Sequence, residues 1–250
     1  MGGNVFKDQQ GNVLTRSIDK DDVLPTVKWL EKITDLKLVD NLLGTAGKKA
    51  TSGDIDIAVD ANIEDKSQLA KKLAAYVEKQ KENPTDCVKK SGISVHFKAP
   101  IRGNPKNGHV QIDFMFGEPE WMKWSMQGGK ANSELKGSHR HIILASIAKH
   151  RGMKWSWQKG LVNRDTNEVI SRDPNDIAKK ILGQTATAKQ LADPEAIIDF
   201  VIKLPDYEQM IADARETLDK DGVSLPNRNT VENYTPGTGA WFRKMIEVIK

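Results

Sequence analysis

The sequence predicts an α+β fold: a mixed sheet with flanking helices in the first part of the chain, then a mainly helical remainder. Residues 54–59 alternate strictly, with Ile55, Ile57 and Val59 on one side and Asp54, Asp56 and Ala58 on the other, the period of a half-buried strand. Residues 93–97 and 110–116 alternate in the same way. Val23, Val27, Leu30 and Ile33, by contrast, fall three or four apart, the spacing of one helix face.

In chain order, residues 1–21 form a polar arm with a turn signal at Gly11-Asn12. Val5 and Phe6 against Val13 and Leu14 make either a short hairpin or a loose arm. The first helix starts near Asp22, tolerates Pro25 in its first turn and ends near Asp35. Residues 38–43 lead into the Gly-rich stretch 44–49, and the strand over 54–59 follows. The next helix covers 66–82, with an apolar stripe at Leu69, Leu73, Ala74 and Val77, and Pro84 stops it. The strands over 93–97 and 110–116 flank the turn-rich run Gly103 to Gly108, which reads as a β-hairpin with a long loop.

From Ser138 onward the pattern is mostly helical. A helix over 142–150 ends at Gly152, and Leu161-Val162 with Val169-Ile170 suggest a two-stranded unit. Asp173-Pro174 opens a helix over 175–182 that Gly183 stops; residues 184–192 read as a linker. Helices follow over 195–203, capped by Asp193-Pro194, and over 207–218. Residues 221–239 read as extended and 241–249 as a closing helix; there is no internal repeat.

The bulk composition narrows the class. Of the 250 residues, 38% are hydrophobic and 29% charged, which excludes a disordered or membrane-embedded chain. No apolar run approaches the roughly 20 residues that span a bilayer, and residues 1–10 lack the apolar core of a secretory signal. A cytoplasmic address is expected: the host cytoplasm, or the virion should the chain be phage-encoded. The single Cys87 makes no internal disulfide. The net charge of +4 weakly favours a polyanionic partner. The sequence carries no signal for oligomeric state.

Asp54 and Asp56 lie two apart on one strand, so both carboxylates leave the same face. Asp113 lies on the polar side of another strand. Neighbouring strands with aligned polar faces would bring the three together, and such a cluster stays ionised only when cations neutralise it. Hard divalent cations with oxygen ligands answer that need, and two of them can hold the attacking and leaving oxygens of an in-line phosphoryl displacement. Upstream, backbone N–H groups at Gly44 and Thr45, the Thr45 hydroxyl and Lys48 or Lys49 can cradle a triphosphate. Taken singly, an Asp-x-Asp is usually a solvated face and a Gly-x-x-Gly is weaker still; the ordered combination is more specific. Ser138-His139-Arg140-His141 reads as phosphate-contacting or solvated, because two His one residue apart on a helix point away from each other. Trp121, Trp124, Trp155 and Trp157 read either as base-stacking platforms or, more ordinarily, as packing residues.

The run from Leu43 to Ile57, with Gly44-Thr45 and then Ser52-Gly53-Asp54-Ile55-Asp56, resembles the Gly-Ser…Ser-Gly-Asp-x-Asp signature of family X DNA polymerases and the wider polymerase-beta nucleotidyltransferase superfamily. Val110-Gln111-Ile112-Asp113 resembles the strand that carries that family's third aspartate, and Lys136-Gly137-Ser138 resembles its Thr-Gly-Ser segment. The likeness runs over roughly residues 22–183. It implies a palm over 22–136 with a mixed sheet, a small thumb-like domain over 137–183 and, beyond the likeness, a helical extension over 193–250. It also implies a magnesium-dependent enzyme with two ions, Mn²⁺ being an alternative, held by Asp54, Asp56 and Asp113. Asp113 would hold the catalytic ion and help deprotonate the attacking hydroxyl. Gly44, Thr45, Lys48, Lys49, Ser52, Gly53, Gly137 and Ser138 would serve the incoming NTP or dNTP. The acceptor would be a nucleic-acid 3′ end. Thr45 stands where the family has Ser and keeps the hydroxyl; Gln111 stands where a basic residue is common.

Two rivals share the sequence. The fold can serve as a non-catalytic nucleic-acid-binding or structural module, as in a phage particle. Alternatively, the enzyme is retained and the acceptor is a small molecule or a protein.

Overall fold

The computed structural model describes residues 3–130, 133, 135–220 and 222. It is a mixed α+β protein with three sheets, one of them a mixed four-stranded sheet. The chain divides into two compact units, residues 1–127 and 128–250. The boundary falls after Gln127, earlier than the Gly137 step read from the sequence.

The first unit opens with the arm. The Leu14 N–H donates to the Phe6 carbonyl at 2.9 Å, and Lys7 bridges Val13, so the arm folds back as a short hairpin. Strand β1 (Ile18–Asp19) pairs antiparallel with β2 (Thr51–Ser52). Helix α1 (Lys20–Thr34) carries Val23, Val27 and Leu30 on its buried face and ends at Asp35 in the left-handed region. Strand β3 (Asp54–Asp60) follows, then α2 (Lys66–Lys79), whose first turn is capped by the Asp65 carboxylate accepting from the Ser67 and Gln68 N–H groups. The helix ends three residues before the expected Glu82. Pro84 opens a short helix instead of merely stopping one: α3 (Pro84–Cys87) has Asn83 as its cap. Strands β4 (Val88–Ser91), β5 (Ser94–Pro100) and β6 (His109–Gly117) complete the sheet, and α4 (Pro119–Ser125) closes the unit.

The sheet order is β3-β6-β5-β4. Strand β6 runs parallel to β3 and antiparallel to β5, so the expected hairpin forms and its second strand lies against the strand of the Asp pair. Ile55, Ile57, Val95, Phe97, Ile112 and Phe114 on one face pack with Val27 and Leu30 of α1 and Leu69 and Leu73 of α2 in a single apolar cluster. With both helices spent on that face, the opposite face carries Asp54, Asp56, His96, Lys98, Gln111 and Asp113, as strict alternation requires.

The second unit begins with α5 (Gly137–His150), then a three-stranded antiparallel sheet of β7 (Met153–Ser156), β8 (Gly160–Asn163) and β9 (Val169–Ser171). Three strands replace the two expected, because β7 has one buried residue, Trp155, and no readable alternation. Helix α6 (Pro174–Leu182) starts at the Asp173 cap. The expected linker over 184–192 is ordered: Ala186 and Leu191 are buried and residues 188–191 form a 3-10 turn. Helix α7 (Pro194–Val201) follows, and the helix read over 207–218 is broken at Ile211 into α8 (Tyr207–Met210) and α9 (Ala212–Lys220). Helices α7, α8 and α9 all pack against α5. Apart from Gly222, the expected extended segment over 221–239 and the closing helix over 241–249 lie outside the described residues. No helix among the described residues is long and apolar enough to cross a membrane.

Candidate metal centre

The parallel pairing of β3 with β6 sets Asp56 directly beside Asp113 and Asp54 beside Gln111. Each of Asp54, Asp56 and Asp113 offers a carboxylate oxygen, and these three atoms lie within 4.8 Å of one another. All three residues are half-buried.

The electrostatic consequence is severe for Asp56. Burial, then the charges of Asp54 and Asp113, pushes its carboxyl up to about 7. Asp54 is also raised, by burial first and by Asp113 second, against a lowering contribution from the backbone N–H of Gly3. Without a cation, the site holds protons that an ionised cluster would have to shed. The donor set is all oxygen, compact and anionic, which fits a hard divalent cation.

Asp113 is held differently. Its Oδ1 accepts from His96 Nδ1 at 2.7 Å and from Gln111 Nε2 at 2.9 Å, and Oδ2 accepts from Gln111 Nε2 at 3.0 Å. With the imidazole neutral, donation from Nδ1 fixes its tautomer. Partners of this kind around a ligand carboxylate orient it and raise its usefulness to a metal. Neither His96 nor Gln111 was among the residues expected at the site. A signal was present: in the β5–β6 hairpin, His96 pairs with Asp113 across the strands and Gln111 lies two before it on the same face.

The Gly-rich loop is anchored to the same strand at both ends. The Leu43 N–H donates to the Asp56 carbonyl at 2.9 Å and Leu42 bridges Ile57, so the chain leaves the sheet at Gly44 beside β3. It returns through β2 into Asp54. Gly44 has φ +63°, a conformation that glycine takes without strain. Thr45 starts a turn in which its carbonyl accepts from the Lys48 N–H at 3.0 Å. Lys48 is exposed, with Nζ donating to the Gly44 carbonyl at 3.2 Å, and Lys49 is half-buried. Gly53 is exposed, and the Ser52 hydroxyl is buried without a hydrogen-bond partner among the described residues.

Gly137 and Ser138 belong to the second unit, where they form the first turn of α5. In the neighbouring cluster read as phosphate-contacting or solvated, Ser138 is exposed but the two residues after it are not. His139 and Arg140 are fully buried, with His139 Nδ1 accepting from the Lys136 N–H at 3.0 Å and Arg140 Nε donating to the Leu191 carbonyl at 2.7 Å. His141 does point elsewhere: its Nδ1 accepts from Trp155 Nε1 at 3.1 Å, and burial with the Arg140 charge lowers it to about 4. Trp121 and Trp155 are buried packing residues, so neither presents a ring to a base.

No family model and no curated protein matches this chain.

Proposed function

We propose that the chain is a magnesium-dependent nucleotidyltransferase with a palm of the polymerase-beta type, transferring a nucleoside monophosphate from an NTP or dNTP to a hydroxyl. The observation that carries this reading is the convergence of three carboxylates within 4.8 Å on adjacent parallel strands, with the start of a Gly-rich loop hydrogen-bonded to one of those strands at Asp56. Asp54 and Asp56 would hold both ions and Asp113 one of them; the bound ions would neutralise the carboxylates and polarise the phosphoryl oxygens. The acceptor oxygen forms a bond to the α-phosphorus as the bond to pyrophosphate breaks. Asp113 Oδ2, which takes one hydrogen bond against two at Oδ1, has a lone pair for the acceptor's proton. Gly44, Thr45 and Lys48 or Lys49 position the triphosphate.

A nucleic-acid acceptor is favoured by a polar cleft of about 540 Å³ in the first unit, lined by Arg16, Arg102, Lys106 and Gly108 beside Asp22. Asp22 pairs with Arg102 at 2.5 Å, and Arg16 donates to the Asn107 carbonyl at 2.8 Å, which holds both guanidinium groups in place. On a single strand, each cationic side chain that neutralises a phosphate adds about 0.7 to the log–log slope of binding against salt. The double variant Arg16→Ala/Lys106→Ala should therefore bind single-stranded DNA or RNA with a slope lower by about 1.4. An unchanged slope would point to a small-molecule or protein acceptor.

The function itself is tested by incubating the protein with α-labelled NTPs and dNTPs, Mg²⁺ or Mn²⁺, and DNA, RNA and protein acceptors. Label transfer that needs the divalent ion is expected. Absence of transfer under every condition would favour the non-catalytic module.

A further inference from the structure

The N-terminal arm is fastened over the polar face of the sheet. Phe6 is only 1% exposed, and its ring lies 5.4 Å from the Lys89 ammonium, which also donates to the Val5 carbonyl at 3.0 Å. Thr15 Oγ1 donates to the Gly3 carbonyl at 2.7 Å. Gly3 is buried with φ +87°, and a Cβ there would sit 2.6 Å from the Gly53 carbonyl oxygen, so only glycine lets the arm lie this close to the residue before Asp54. The Val5 N–H donates to Gln111 Oε1 at 2.9 Å, while Gln111 Nε2 donates to both oxygens of Asp113. The two ends together fix one orientation of the amide. A primary amide that accepts at its oxygen must present its NH₂ at the other end, and here the other end is a carboxylate. Freed from Val5, the amide keeps its bonds to Asp113 but loses the one that holds its other end in place.

We propose that residues 3–6 are a positioning strap for the metal centre, acting on Asp113 through Gln111 and on Asp54 through Gly3. This rests on the reading of the three carboxylates as a metal centre. Removing a group that orients a metal ligand typically weakens metal binding by about 10–100-fold.

The test is a Mn²⁺ titration of the intact chain followed by electron paramagnetic resonance, well below the melting temperature, with thermal melts alongside. Gly3→Ala, Phe6→Ala and Gln111→Met should each weaken Mn²⁺ binding by about tenfold or more. Gly3→Ala combined with Gln111→Met should lose less than the product of the single losses, because displacing the arm at Gly3 also breaks the Val5 bond to Gln111, so that both changes reach Asp113. Leu73→Ala, a buried α2 substitution that lowers stability without touching the arm, should leave Mn²⁺ affinity unchanged. The strap is overturned if the arm variants bind Mn²⁺ as the unaltered protein does, if the losses multiply fully, or if Leu73→Ala weakens binding equally. Should Mn²⁺ bind normally, vanish in Asp56→Asn and ignore the arm variants, only the strap falls. No Mn²⁺ binding by the unaltered protein would overturn the strap and the metal centre together.

Discussion

Label transfer by Asp54→Asn, Asp56→Asn or Asp113→Asn should fall by more than about 100-fold. Groups that merely orient metal ligands are worth about 10–100-fold, so a lost ligand sets a floor above that. The substitution is isosteric, opens no cavity and leaves the apolar face of the sheet untouched. The three variants should nevertheless differ in stability. Asp54 and Asp56 repel each other and Asp113, so neutralising either one relieves the apo protein. Asp113 accepts from His96 and Gln111 through both oxygens. An amide in its place turns one acceptor into a donor and leaves a facing pair of donors, at a cost of about 1–3 kcal/mol. Activity measurements and thermal melts check this pattern: all three variants inactive, Asp56→Asn at least as stable as the unaltered protein, Asp113→Asn less stable. A structural cluster with no chemistry would leave activity, where present, indifferent to all three.

The stability of the metal-free protein should depend on pH in a way that Asp56 dictates. Its carboxyl is raised from 3.8 to about 7 in the fold, so between those values the folded state binds more protons than the unfolded chain. Stability contributed by this group is complete below about pH 4 and is lost as pH rises through about 7. Other groups titrate as well, so the clean comparison is with Asp56→Asn, which mimics the protonated acid at every pH. The two proteins should melt together near pH 4. Near pH 8 the variant should be more stable by up to about 4 kcal/mol, at about 1.4 kcal/mol per tenfold change in proton affinity, or on the order of 10 °C in melting temperature. Millimolar Mg²⁺ should narrow the gap at pH 8, because the ion binds the ionised folded site. Melting curves with and without Mg²⁺ decide it; a gap that does not grow with pH would mean that Asp56 is not a strained acid.

Strand β3 was legible because Ile55, Ile57 and Val59 alternate with polar or small residues, and the β5–β6 hairpin because its two alternating runs flank a Gly-rich turn. The pairing of β3 with β6 was not legible; alternation assigns each strand its faces but names no neighbour, and parallel pairing is a long-range choice. Strand β4 escaped notice because Val88 is its only apolar residue, followed by Lys89, Lys90 and Ser91. Helix α4 is too short to show a period, with Trp121 and Met122 as its apolar anchors. Residues 184–192 read as a linker because their composition is small and polar, yet Ala186 and Leu191 suffice to bury it. At the site, the three aspartates followed from strand alternation and motif order. The arm did not: its docking depends on backbone bonds from Val5 and on the close approach of Gly3 to Gly53, neither of which leaves a pattern in local sequence.

The central claim is most directly tested by crystals grown with Mn²⁺ and a non-hydrolysable NTP, with data collected at a wavelength where manganese scatters anomalously. The expected result is an anomalous peak between the carboxylates of Asp54, Asp56 and Asp113, with the triphosphate against residues 44–49. Carboxylates hydrogen-bonded to protein or water alone, with manganese absent or elsewhere on the surface, would contradict it.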